Sequence, residues 1–143
     1  MMKKSNKKGF TLVELIVVIA IMAILAAVLV PVVTNKIDDA NKSSAVSEMG
    51  TIASAINAAY MSNQASATPV STYAELQAKQ PEIADYTIGK PAAFKHGKYQ
   101  VKIEFVAKAG DVEAHIKVSV VAGNDDAVVD NQTKTVTLPG YTA

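Results

Sequence analysis

One stretch constrains everything else in the chain: residues 7–33, KKGFTLVELIVVIAIMAILAAVLVPVV, where two lysines and a glycine lead into an apolar run broken only by Glu14 and, late, by Pro31. As a helix, residues 10–33 would reach roughly 36 Å at 1.5 Å per residue, enough to cross a bilayer core of about 30 Å. A carboxylate inside such a span costs about 2.5–3.5 kcal/mol on insertion scales, so a chain that keeps one there is expected to give it a partner. No cation lies within the run. Lys3, Lys4, Lys7 and Lys8 precede it, and by the positive-inside rule they stay in the cytoplasm while everything after Val33 is outside. A cut between Gly9 and Phe10 would leave a free amine on Phe10, with Glu14 as the fifth residue of the shortened chain. An ordinary secretory signal places its A-x-A cleavage site after the apolar region. Here Ala20, Ala23, Ala26 and Ala27 form no such triplet.

The register of KKGFTLVEL resembles the class III signal and helix start of type IV pilins and type II pseudopilins. That resemblance covers roughly residues 3–35, with the remainder alike only in layout. It implies a leader, residues 1–9, removed after Gly9 by a prepilin peptidase that also N-methylates Phe10. It implies that Glu14 meets the N-terminal amine of a neighbouring subunit during assembly. The implied partners are further copies of the same chain, the peptidase and methyltransferase, an assembly platform protein with its ATPase, and the membrane that holds the prepilin. The implied fold is α+β, a long N-terminal helix whose second half packs against a small antiparallel sheet of three or four strands. Filaments of this family serve uses from adhesion and twitching motility to secretion and DNA uptake. Where the family often has glycine, this chain has Ala23, and it lacks the cysteines with which many Gram-negative pilins close a C-terminal loop. That absence leans toward a Gram-positive-type pilin.

Once the leader and span are set aside, the 143 residues leave enough chain for one small domain. Four of the fourteen lysines precede Phe10, leaving ten against thirteen acids, a balance of −3. There is no arginine, and the outer lysines are scattered, so DNA binding by a basic patch is unsupported. Without cysteine there is neither a disulfide framework nor a thiolate metal site.

Within the span, Ala20, Ala23 and Ala27 form a small-residue stripe that would let helices approach closely. Pro31 cannot donate to the carbonyl of Ala27, which predicts a kink or a short non-helical segment between Ala23 and Pro31. Residues 34–62 continue as an amphipathic helix, with Ile37, Val46, Met49, Ile52, Ile56 and Ala59 or Tyr60 as its stripe. Asp38, Asp39, Glu48, Lys36 and Lys42 form its solvated or intersubunit face. Residues 63–98 read as a connecting region with one short helix, begun by the capping-box spacing of Thr72 and Glu75 and stopped by Pro81. Residues 99–143 read as sheet. Tyr99–Phe105 alternate, Val112–Val120 alternate after a KAGD turn, and after GNDD a second hairpin forms from AVV and TVTL around DNQTK.

Candidate chemistry is sparse. His96 and His115 lack metal-ligand spacing. Asp125, Asp126 and Asp130 are a weak calcium candidate, since the cluster does not follow an EF-hand loop and turn residues explain it. No cofactor site or catalytic set stands out, and LPGYT lacks the apolar segment and basic tail of a sortase signal. The expected function is that of a structural pilus subunit rather than an enzyme. The alternatives are a pseudopilin of a secretion or competence machine, or a single-span anchored binding module, which leaves Glu14 unexplained.

Overall fold

Helix α1 (Leu12–Gln64) begins where the apolar run begins and continues through the amphipathic segment. The computed structural model describes residues 9–123 and 127–142. The leader up to Lys8 and the candidate ligands Asp125 and Asp126 therefore lie outside the described residues. The chain divides into two units, one ending at Ile37 and the other beginning at Asp38.

The first unit is helix from Leu12 onward, and its side chains are exposed all round. Its mean hydropathy reaches 3.2 over an 18-residue window, of which 0% is buried. Such a surface needs lipid or protein around it. Residues 23–31 are helical throughout, so the non-helical segment expected there is absent. Pro31 removes one backbone donor without ending the helix, and the Thr34 hydroxyl donates to the Pro31 carbonyl at 3.0 Å.

In the second unit α1 buries Ala45, Met49, Ile52, Ala53, Ile56, Ala59 and Asn63. The steps of three and four residues make one helix face. It packs against a four-stranded antiparallel sheet in the order β1 (Lys95–His96), β2 (Tyr99–Val106), β3 (His115–Ala122) and β4 (Val128–Thr137). Val101 and Ile103 of β2 stand beside Val120 and Val118 of β3, and all four are fully buried toward the helix stripe. At about 1.5–3 kcal/mol per buried aliphatic side chain, this layer is the main source of cohesion. Helix α2 (Tyr73–Lys79) adds Tyr73 and Leu76 to the core. Thr72 caps it, its hydroxyl accepting from the Glu75 amide at 3.2 Å. A 3-10 turn at Pro81–Ile83 follows.

The structure corrects the sequence reading in four further places. Ile37 is exposed rather than part of the buried stripe, because the sheet reaches α1 only beyond it. Val112 is also exposed, since it closes the loop by pairing with Ala109 and β3 starts three residues later. The expected second hairpin is a single strand. β4 pairs along β3 with a bulge opposite Ser119–Val121, where Asp130 and Asn131 take positive φ of 46° and 57°. The turn-forming residues thus make an excursion within one strand instead of a reversal.

The fourth correction concerns the charged face of α1, of which Asp38, Lys42 and Glu48 are tied to the sheet, while Lys36 and Asp39 stay exposed as expected. Asp38 accepts from the Tyr99 hydroxyl at 2.9 Å and from Lys98 at 2.9 Å. Lys42 pairs with Asp130 in the bulge, and Nε2 of His96 lies 2.7 Å from Glu48. Between these contacts Gly97 turns the β1–β2 hairpin at φ +59°, where a Cβ would stand 2.6 Å from Nδ2 of Asn41. Gly97→Ala is expected to lower stability by about 1–2 kcal/mol, through left-handed backbone strain and this clash. The urea midpoint of the full chain in micelles measures it, and an unchanged midpoint would show that neither the strain nor the clash acts.

The Asp38 carboxyl is held below its ordinary value of 3.8, first by the hydrogen bond from Lys98, and Lys98 is in turn raised above 10.5 by Asp38. A depressed carboxylate stabilises the fold above its unfolded pKa and loses that contribution as pH falls through the folded value. A raised lysine contributes below its unfolded pKa and loses that contribution as pH rises through the folded value. The tie is therefore whole between about pH 4 and pH 10.5. Thermal melts from pH 5 down to pH 2 should fall less steeply for Asp38→Asn than for wild type. Parallel curves would mean that the pair contributes nothing.

Candidate functional site

The N-terminal end of α1 carries the sequence features that the second unit does not use. Gly9, Phe10 and Thr11 precede the helix, and all three are exposed, Phe10 by 93%. A Cβ added at Gly9 would meet nothing within 4 Å, and its φ lies outside the left-handed region. Neither packing nor backbone geometry in this chain requires a glycine there.

Glu14 stands in the first turn of α1 and is bonded to Thr11. The Thr11 backbone N–H and its hydroxyl both donate to Oε2 of Glu14 at 2.8 Å, and the Glu14 N–H donates to the Thr11 hydroxyl oxygen at 3.2 Å. This is a capping box, with Thr11 as N-cap and Glu14 at the third helical position, and it satisfies amide donors that a helix start leaves open. The partial positive charge of the helix N-terminus also favours a carboxylate here. Two of these contacts fall on the same oxygen. Among the described residues, Oε1 of Glu14 accepts no hydrogen bond and no cation neutralises the charge. The arrangement holds a carboxylate at a fixed height on an apolar helix with one oxygen open to a cationic donor.

Thr11 is the residue that the sequence reading missed. The T-x-x-E spacing that marked Thr72 and Glu75 is repeated at Thr11 and Glu14. It was masked by the membrane-length run, in which the carboxylate reads as an intruder rather than a cap.

The remaining candidates are not brought together. His96 contacts Glu48, and Nδ1 of His115 donates to the Glu113 carbonyl at 3.0 Å. Asp130 is engaged by Lys42. Among the described residues no group of three or more His, Asp or Glu is placed to hold a metal ion.

Residues 4–30 match the family model of the prokaryotic N-terminal methylation motif. The type IV major fimbrial protein FimA of Dichelobacter nodosus is 47% identical over 53 residues, 37% of this chain and 34% of that protein. The type IV wide pilus major component PilA4 of Thermus thermophilus is 44% identical over 72 residues, 42% of this chain and 50% of that protein. The type II secretion system core protein G of Klebsiella michiganensis is 39% identical over 56 residues, 39% of each chain. The alignments thus span between a third and a half of the relatives' length. No solved structure matches the chain.

Proposed function

We infer, from an N-terminal segment shared with the type IV pilins and pseudopilins, that this chain is a prepilin whose processed form is the structural subunit of an extracellular type IV pilus. In this reading the chain waits in the membrane through residues 10–33 with its α+β domain outside, and is cut between Gly9 and Phe10. Phe10 is N-methylated, and the chain is then drawn into the filament by a platform protein and ATPase. Gly9 supports the cleavage step, since its lack of a side chain answers to no contact inside the fold. Glu14 carries the assembly step. Its open oxygen accepts the Phe10 amine of a neighbouring copy, neutralising the charge as the span leaves lipid for the filament core. Burial of the apolar half against neighbours, at about 25 cal/mol per Å², holds the filament together. Pro31 marks where the helix bends within it.

The single observation behind this reading is an apolar helix exposed on every side, headed by a capped carboxylate four residues after Phe10. A second reading, a pseudopilin forming a short filament, is supported by the likeness to the secretion system core protein G. The test is electron microscopy of material sheared from cells, with mass spectrometry of its N-terminal peptide. Long filaments whose chain starts at methylated Phe10 are expected. Processed chain that stays in the membrane at native expression would favour the pseudopilin, and an uncut chain would refute both.

A further inference from the structure

The β1–β2 hairpin descends the second half of α1 toward the membrane-length run. His96 of β1 meets Glu48, Gly97 lies beside Asn41, and Lys98 and Tyr99 reach Asp38. Each step from β1 into the turn thus moves back along α1, from residue 48 to residue 38. The turn itself is tight. Lys95 pairs with Gln100 and His96 with Tyr99, so Gly97 and Lys98 alone make the reversal, and Gly97 supplies the positive φ that its first position demands. This turn stands level with Asp38, the first residue of the second unit.

That end is the one nearest the membrane along the chain. Asp38 follows Val33, the last residue of the apolar run, by five residues of continuous helix, a rise of about 7.5 Å. The headgroup layer extends about 5–8 Å beyond the hydrocarbon core, so a lysine side chain at the level of Asp38 reaches the lipid phosphates. Two cations stand there. Lys95 is exposed, and its side chain has no hydrogen-bond or ion-pair partner among the described residues. Lys98 lies 2.9 Å from one oxygen of Asp38 and 5.2 Å from the centre of the Tyr99 ring, yet its side chain is 57% exposed. An ammonium has three donors, so Lys98 is ordered by Asp38 with donors left over. The acids that face the hairpin from α1 are already engaged, Asp38 by Lys98 and Glu48 by His96. Lys36 and Asp39, both exposed on the same stretch of α1, bring one charge of each sign.

We propose that the turn at residues 95–98 is a contact site for anionic phospholipid headgroups, through which the outer domain of the membrane-held chain rests on the outer leaflet. A lysine at an anionic surface favours contact only about fivefold. The tether makes that sufficient, because a site held this close to the headgroups meets them at high effective concentration. A chain drawn into a filament leaves the headgroups behind, so the contact belongs to the waiting subunit alone. It rests on the membrane-anchored reading and adds how the outer domain is seated before assembly.

The test uses the full chain in lipid nanodiscs with a gadolinium chelate on a small fraction of headgroups, read by paramagnetic broadening of amide NMR signals. In phosphatidylglycerol discs the broadening at Gly97 and Lys98 should exceed that in phosphatidylcholine discs about fivefold, and Lys95→Glu should remove most of the excess. The Gly110 amide, in the turn at the far end of β2, should broaden alike in both lipids. Lys95→Gln removes the charge without reversing it, so it should fall between the two and gives the same reading if the glutamate variant misfolds. Equal broadening at Gly97 in the two lipids, or no response to either variant, would overturn the contact and leave the membrane anchor intact. An excess as large at Gly110 as at Gly97 would also overturn it, since the domain would then meet the lipid through other residues. A chain that does not enter the discs would bring down both readings.

Discussion

Glu14→Gln is expected to abolish filaments as completely as Glu14→Ala, while leader removal and the outer domain stay intact. The pair of variants separates two roles that coincide in the structure. Glutamine serves at the third position of a capping box as glutamate does, because its side-chain oxygen still accepts from Thr11. If capping were the role of residue 14, the glutamine variant would assemble. If the role is to present a charge that only a neighbour's amine can neutralise, the glutamine variant loses the whole difference between membrane and filament. That difference is about 2.5–3.5 kcal/mol per subunit on insertion scales, or a shift of about a hundredfold in the assembly equilibrium. Filament yield from sheared cells, with immunoblots for processed chain in the membrane fraction, reads the result. Normal piliation with glutamine would reduce Glu14 to a helix cap.

The second large effect lies at the other end of α1. Asn63 is fully buried there. Its side-chain carbonyl accepts from the Val70 amide at 3.1 Å, and its Nδ2 donates to the Val70 carbonyl at 2.9 Å and to the Tyr141 hydroxyl. Tyr141 also meets Tyr60 edge-on, with ring centroids 5.4 Å apart. Beside it, the Thr142 amide donates to the Ser71 carbonyl at 2.9 Å, and the Tyr73 amide to the Thr142 carbonyl at 3.3 Å. This clasp fastens the C-terminal segment and the start of the connector to the helix without a covalent link. Asn63→Leu leaves the Val70 amide and carbonyl and the Tyr141 hydroxyl without their partner. At about 1–3 kcal/mol for each of these three groups, the loss is about 3 kcal/mol or more, a large part of the 5–15 kcal/mol that holds a domain of this kind. A fall in melting temperature of about 12 °C or more is expected for the full chain in micelles. A shift under about 3 °C would show that water replaces the clasp.

The legible parts of the molecule were those in which one residue type at one spacing has one physical outcome. The length of the apolar run dictated a membrane-scale helix whatever packs against it, and the register from Gly9 through Phe10 to Glu14 is a linear signal that needs no fold to be read. Period-two alternation identified β2, where Tyr99, Val101 and Ile103 point one way because a strand leaves them no alternative. The second half of α1 was legible as a stripe for the same reason, with its period changed to three and four.

Tertiary structure decided what local pattern leaves degenerate. Ile37 and Val112 are apolar residues in the right phase, yet both are exposed because the partner surface ends before it reaches them. Asp130 and Asn131 favour a positive φ and so mark a turn, but whether that turn reverses a strand or bulges within one depends on the ladder with β3. Lys42 and Glu48 read as surface charges until the bulge and the β1–β2 hairpin arrive beside them. Asn63 had no sequence mark at all, since a buried amide is set apart only by the groups folded around it. The sequence by itself therefore determined the helix, its membrane-length half and the order of Gly9, Phe10 and Glu14, all of which follow from neighbours along the chain. The placement of the charged face, the single fourth strand and the C-terminal clasp depend on contacts between residues far apart in sequence, and these exist only after the chain has folded.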